Sequence, residues 1–321
     1  MGNRKKNLLA CLILISLVFI LSACGTGGAK STGSEREKPT IKIGYLPITH
    51  AVPLFYMEEE EFENFNLELV KFGSWPELMD ALNTGQINGA SVLISLAMYA
   101  KEQGIDLKAV ALSHRDGNVL VVANNITSVQ DLKGKNFAVP HKYSTHNVLL
   151  YQMLKKAGMK YEDVKVIELP PTEMPAALAE GRISGYVVAE PFGALSVSLG
   201  KGKVLYQDKE IWPNSVDCAL VLRNDWIESD RELAQKFVNE FVKAGEEAEK
   251  KDDHIYELTS KYFNVEKDVL NLSLKWIEYD NLKIDEEAYE KLRESLIEMK
   301  LSKNPPTYKE FVDHSLIDGA K

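Results

Sequence analysis

Cysteine is scarce: there are three in 321 residues, at positions 11, 24 and 218. None is paired closely with another, so the sequence offers neither a disulfide framework nor a thiolate cluster for zinc or iron–sulfur. Basic residues are outnumbered, 38 Lys and Arg against 47 Asp and Glu, for a formal net charge of −9. A well-mixed acidic surface argues against nucleic acid as a partner. Long apolar stretches are also short of what a membrane needs. The most pronounced run, Leu8 to Leu21, falls below the ~20 residues that span a bilayer as a helix.

Arg4, Lys5 and Lys6 precede that run and give it the shape of a secretory leader. It ends in Leu21-Ser22-Ala23-Cys24, which resembles the lipobox of bacterial lipoproteins. The resemblance implies cleavage before Cys24 and lipidation of its thiol. The chain would then be anchored to the extracytoplasmic face of the cell membrane without crossing it. Residues 1–23 read as signal peptide and residues 24–39 as a flexible Gly/Ser/Thr/Lys tether. The chain beyond the tether is long enough for two lobes with cores of their own.

From Thr40 onward, extended apolar runs alternate with amphipathic helices, the pattern of an α/β fold with mostly parallel sheets flanked by helices. Ile41–Tyr45 and Asn66–Phe72 are the first strands, and Glu58–Glu61 is a solvated helix face, because adjacent carboxylates point to different sides. The chain also contains an internal repeat. Glu77–Gly89 matches Glu173–Gly185 at a constant offset of 96 (173 − 77), with Glu, Ala, Leu, Gly, Ile and Gly in register. Each copy reads as a helix stopped by glycine and then a strand, Ile87–Leu93 or Ile183–Ala189. One pair at this spacing is not a solenoid, which needs several short repeats. It points to two lobes on one plan. We place the crossing between them at Thr127–Gly134, so that residues 40–127 form the first part of lobe I and 128–221 lobe II. Residues 222–321 return to lobe I and end in helices, with Leu233, Phe237, Phe241 and Ala244 on one buried face and His254 and His314 on the surface.

The stretch Pro140–Gln152 is distinctive. Lys135–Val139 reads as a strand stopped by Pro140, and the apolar spacing from Leu149 to Ala157 as a helix ended by Gly158. Between them lie His141, Ser144, Thr145 and His146. Ser144 or Thr145 can cap the helix, whose free N–H groups and positive dipole end suit an anionic or polar ligand group. In open parallel sheets ligands sit beyond the carboxyl ends of the strands. The residues there are Thr49 and His50, Ser74 and Trp75, Ser95, the loop from His114 through Asp116 to Asn118, His141 to His146, and Glu190. Two such edges facing one another would form a cleft. Trp75 reads as a stacking wall and Glu190 as a carboxylate at the end of an apolar strand, costly to bury unless paired.

Four segments in order, TIKIGYLPITHAVPLFYMEE, FGSWPELMDALNTGQINGA, FAVPHKYSTHNVLL and GRISGYVVAEPFG, resemble the substrate-binding proteins of ABC transporters of the nitrate/sulfonate/taurine/bicarbonate group. The resemblance covers Thr40 to about Ile227. It implies a type II periplasmic-binding-protein-like fold: two lobes, two crossings, and a ligand cleft between them. It also implies a receptor, not an enzyme, that captures a small anionic or zwitterionic solute and delivers it to an ABC permease and its ATPase; the sequence marks no cofactor and no metal-ligand set, and leaves open whether a metal assists binding. By motif, Trp75 is similar to the aromatic ligand contact, Ser144-Thr145-His146 to the anion site at a helix N-terminus, and Glu190 to the position that varies with ligand charge. The loop His114–Asn118 is similar to the polar loop of lobe I, with Arg115-Asp116 departing from the nitrate pattern. A carboxylate at Glu190 would disfavour a bare monoanion and suit a ligand that also carries a donor or positive charge, or a metal-assisted anion.

Two other readings stay open. The same receptor fold could take a heterocycle of the pyrimidine or flavin class, which Trp75, the tyrosines and Glu190 would tolerate. A pyrimidine-precursor enzyme on this scaffold fits less well, since such enzymes carry a cysteine-rich motif and Cys218 stands alone.

Overall fold

The computed structural model describes residues 37–320, so the leader, Cys24 and most of the tether lie outside the described residues. Among the described residues no helix is long and apolar enough to cross a membrane.

The strands are β1 (Thr40–Tyr45), β2 (Asn66–Lys71), β3 (Gly89–Leu93), β4 (Leu107–Leu112), β5 (Arg115–Asp116), β6 (Asn118–Val122), β7 (Asn136–Val139), β8 (Lys165–Glu168), β9 (Gly185–Ala189), β10 (Lys203–Gln207), β11 (Cys218–Arg223) and β12 (Ile277–Glu278). They make two five-stranded sheets, β2-β1-β3-β11-β4 and β10-β6-β9-β7-β8, and a small pair β12-β5. The α/β expectation holds. Read from the other edge, the second sheet is β8-β7-β9-β6-β10, so the two sheets share one topology.

In each sheet four strands run one way and one runs against them. β11 pairs antiparallel with both β3 and β4, and β6 pairs antiparallel with both β9 and β10. These two are the strands that enter from the other lobe. The lobe boundaries therefore differ from those read in the sequence. β6 already belongs to the second sheet, so the first crossing lies at residues 113–117 and not at Thr127–Gly134. β11 already belongs to the first sheet, so the return is complete before residue 222. Local pattern marks Val119–Ala123 as a strand but cannot say which sheet pairs with it.

The repeat has a structural meaning. Its two helices, Trp75–Asn83 and Met174–Ala179, lead to Gly85 (φ 75°) and Gly181 (φ 70°), left-handed positions that glycine takes without strain. Each copy then enters the middle strand of its sheet, β3 or β9, both fully buried. A Cβ on Gly89 would stand 2.8 Å from the Val221 carbonyl, and one on Gly185 would stand 3.0 Å from the Val121 carbonyl. Val221 and Val121 lie on the crossing strands. At the repeated glycines those strands leave no room for a side chain.

Residues of the second sheet alternate between two apolar faces. Leu120, Val122 and Val187 join the large core, while Val119, Val121 and Val188 join a separate cluster with Met174 and Leu178. The long helix Arg231–Glu249 buries Leu233, Phe237, Phe241 and Ala244 as its spacing predicts, and packs on the helix Val52–Glu58. The last hundred residues clad both lobes, however. Ser295 and Glu298, from the helix Glu286–Glu298, reach Gln152 at 3.0 Å and Lys155 at 2.6 Å on the second lobe. Glu58–Glu61, His254 and His314 are exposed, as expected, but the helix ends at Glu58, so most of the acidic run lies in the turn after it and not on a helix face.

Candidate functional site

Three histidines from separate strand ends meet at the junction of the sheets. His50 lies in the 3-10 turn Thr49–Ala51 after β1, His114 follows β4, and His146 sits in the first turn of the helix Thr145–Lys156 that follows β7. All three are buried. The His50 and His114 rings stack with centroids 3.5 Å apart, and His146 lies parallel to His50 at 6.4 Å. At their centre is a residue outside the sequence-derived set, Asp217, just ahead of β11. Its Oδ2 is 3.3 Å from His50 Nδ1 and 3.5 Å from His114 Nε2, and its Oδ1 is 3.9 Å from His146 Nδ1.

Asp217 escapes a reading confined to the carboxyl ends of strands. β11 runs backward, with Cys218 opposite Leu93, so its amino end lies at the cleft edge. The usable signal is the sequence Val216-Asp217-Cys218-Ala219-Leu220, an acid leading directly into a buried strand.

The helix N-terminus does hold an anion, and the anion is the protein's own. Ser144 is the cap, accepting from the Asn147 amide at 3.1 Å, while the Thr145 hydroxyl donates to Asp217 Oδ1. Burial alone would push the Asp217 carboxyl up. The imidazoles of His146, His114 and His50 outweigh it and hold the group well below the usual carboxylate range. Burial lowers His146, and burial with the neighbouring His114 imidazole lowers His50 further, so both favour the neutral form. His114 Nδ1 lies 2.7 Å from the Asp116 carbonyl. A carbonyl only accepts, so this nitrogen carries the proton and Nε2 is turned toward Asp217. His114 Nε2, Asp217 Oδ2 and both His146 nitrogens are buried without a hydrogen-bond partner.

Cys218 adds a buried thiol, its Sγ 3.3 Å from His50 Nδ1. Burial, then the Asp217 charge, pushes that thiol well up. His50, His114, Asp217 and Cys218 each present a donor atom within 4.8 Å of the others, a spacing able to hold a metal ion. The lack of a cysteine cluster along the chain says nothing about groups 168 residues apart such as His50 and Cys218.

The remaining candidates fall elsewhere. Thr49 joins the lobes, its amide and hydroxyl both donating to the Glu190 carbonyl, at 2.8 and 3.2 Å. The Glu190 carboxylate accepts from Ala194 N at 3.0 Å and the Ser273 hydroxyl at 2.9 Å. Burial pushes its pKa up to about 8, with the Ala194 and Ser273 bonds only partly opposing it. It is therefore largely protonated at neutral pH, and the charge restriction assigned to it is not exerted. Asn118 opens β6 and donates to Asp208, a buried acid that desolvation and the Asp116 charge also raise to about 8. Asp116 (φ 54°) serves His114 through its carbonyl, while its carboxylate stands 3.9 Å from Lys209 Nζ.

Trp75 and His141 do not reach the histidine cluster's hydrogen bonds. They line a groove of about 390 Å³ with Met79, Leu96, Tyr99 and Tyr143. Tyr99 of the first lobe stacks on Tyr143 of the second at 4.3 Å, closing the lobes over that groove.

Comparison with known proteins agrees with this architecture. The ligand-binding component of an ABC-type import system from Staphylococcus aureus, solved with zinc bound, is 40% identical, with a TM-score of 0.83 over 88% of this chain and 99% of that one. A putative aliphatic sulfonates-binding protein of Bacillus subtilis is 27% identical over 84% of this chain and 82% of its own length. A nitrate import ATP-binding protein NrtC of Synechocystis is 27% identical over 61% of this chain, and the match spans 33% of that larger protein. Such matches cover about a third of the first curated relatives. The model of the NMT1-like family matches residues 34–259, most of the folded chain, and so this protein belongs to the NMT1-like family.

Proposed function

We propose that this chain is the extracytoplasmic solute-binding receptor of an ABC-type importer, held to the membrane through Cys24. It captures a small solute at the junction of its lobes and hands it to the permease and its ATPase; it catalyses no reaction. One observation carries the reading: both lobes contribute buried polar groups with unmet bonding capacity to one point, the three histidines around Asp217. A ligand that satisfies them binds only the closed arrangement, and so shifts the protein toward it.

The same point constrains the solute. The ionised carboxylate at the junction is Asp217, not Glu190. A bare monoanion such as nitrate would meet that charge in a buried setting, at a cost of several kcal/mol to order of magnitude. A solute with positive charge fits better. The zinc of the Staphylococcus aureus relative supports a cation. The name of the Bacillus subtilis relative favours a second reading, an aminosulfonate of the taurine class with its ammonium at Asp217. Heterocycles of the pyrimidine or flavin class rest only on the aromatic groove.

Calorimetry of the purified chain against taurine, alkanesulfonates, nitrate, bicarbonate with calcium, pyrimidines and divalent metals tests the proposal. Binding of one class, with compaction in solution scattering, is expected. Failure of every class to bind, or turnover of any of them, would sink it.

A further inference from the structure

We infer that the junction is a binding site for a divalent transition-metal ion of the zinc class, ligated by His50, His114 and Asp217 from one side and His146 from the other. This rests on the receptor reading above and names its solute.

The distances favour a metal. Zinc bonds to imidazole nitrogen and carboxylate oxygen are roughly 2.0–2.2 Å, so neighbouring ligands of a tetrahedral ion stand ~3.3–3.6 Å apart. His50 Nδ1 and His114 Nε2 lie 3.3 and 3.5 Å from Asp217 Oδ2. His146 Nδ1 lies 3.9 Å from Oδ1 of the same Asp217 carboxylate.

Proton placement favours it too. His114 Nδ1 is committed to the Asp116 carbonyl, so Nε2 is the atom turned toward Asp217 Oδ2, 3.5 Å away, and neither atom has a hydrogen-bond partner. A cation between them would satisfy both buried atoms at once. His146 has both ring nitrogens buried and unpartnered on the same junction. These are groups that a metal satisfies and that an apolar core would not retain.

The surrounding contacts resemble those that orient ligands. The Asp116 carbonyl fixes the His114 tautomer, and the Thr145 hydroxyl fixes the Asp217 carboxylate. The donor set also selects the metal. Three imidazoles and one carboxylate suit zinc, nickel or cobalt, whereas calcium asks for six to eight oxygens. His146 is preferred over Cys218 as the fourth ligand because a buried thiol needs no polar partner and a buried imidazole does. Because His146 comes from the second lobe, full coordination requires closure.

The test is calorimetry and cobalt(II) absorption on the chelator-stripped full chain, with zinc, nickel, calcium, magnesium and taurine as probes. One zinc per chain is expected, with calcium and magnesium not competing. His114→Ala and His146→Ala, with circular dichroism confirming that they fold, should each weaken zinc at least about tenfold, and His146→Ala should also abolish zinc-induced compaction. Cobalt should give tetrahedral ligand-field bands without a sulfur charge-transfer band. A sulfur band lost in Cys218→Ser, or unchanged zinc affinity in His146→Ala, overturns the ligand assignment. Equal binding of calcium overturns the metal class. If taurine binds and zinc does not, the metal inference falls while the receptor reading stands; if nothing binds, both fall.

Discussion

The Thr145 hydroxyl donates to the Asp217 carboxylate across the junction of the two lobes, joining the first turn of a helix to the start of a strand 72 residues on. The positive end of the helix dipole is thereby occupied by a side chain of the protein. A helix terminus that could have received an external anion instead holds the carboxylate around which three imidazoles gather. On the reading proposed above, this terminus therefore favours a cation over an anion.

Replacing Thr145 by Val keeps the shape and removes the donor. Asp217 then loses a partner while buried, a change that costs about 1–3 kcal/mol. Urea unfolding should show that loss, and scattering of the ligand-free variant should show a more open molecule. An unchanged midpoint would mean the hydroxyl does not hold the carboxylate.

Glu190 gives a pH prediction. Burial raises its folded pKa from 4.5 to about 8, so the folded chain binds more protons than the unfolded one between those values. Its contribution to stability therefore falls as pH rises from about 4.5 to about 8, by a few kcal/mol in order of magnitude. Glu190→Gln removes the titrating group. Wild type and variant should be equally stable near pH 4.5, and the variant should be the more stable above pH 8. Solute affinity should be unchanged near neutral pH. Parallel stability curves would show that Glu190 is ionised in the fold.

Gly89→Ala and Gly185→Ala test the shared plan of the lobes. The added methyl would come within 2.4 Å of Leu222 Cδ2 in the first case and 2.7 Å of Phe137 Cε2 in the second. Overpacking against these side chains should cost roughly 1–3 kcal/mol at each site. Gly104→Ala, with open space around its Cβ but φ at 94°, should show backbone strain alone. Equal effects at all three sites would remove the packing explanation.

The stack of Tyr99 on Tyr143 should act as a clasp. A double-mutant cycle with Tyr99→Leu and Tyr143→Leu should give a coupling of about 0.5–1.5 kcal/mol in the closed state. Zero coupling would mean that the rings touch without holding the lobes.

The α/β class, the repeat and the burial of most helices were legible because they depend on local periodicity and on glycines that local backbone geometry requires. His50, His114, Thr145 and His146 were legible as candidates because strand ends carry ligands in such folds. Asp217 was not, and the reason is directional: β11 runs against its neighbours, so its first residues share an edge with the last residues of β3. The sheet assignment of β6 escaped for a related reason, since pairing partners lie far along the chain and leave no local trace.

By itself, then, the sequence determined two similar lobes and a set of polar groups placed at their edges, because period and turn chemistry are written within a few residues. Only the tertiary structure decided which groups meet. It turned Glu190 into a buried acid bound to Ser273, and it brought Asp217 to the histidines. Both outcomes depend on the long-range pairing of crossing strands, which sets what stands within a few ångströms of what, and hence which charges persist.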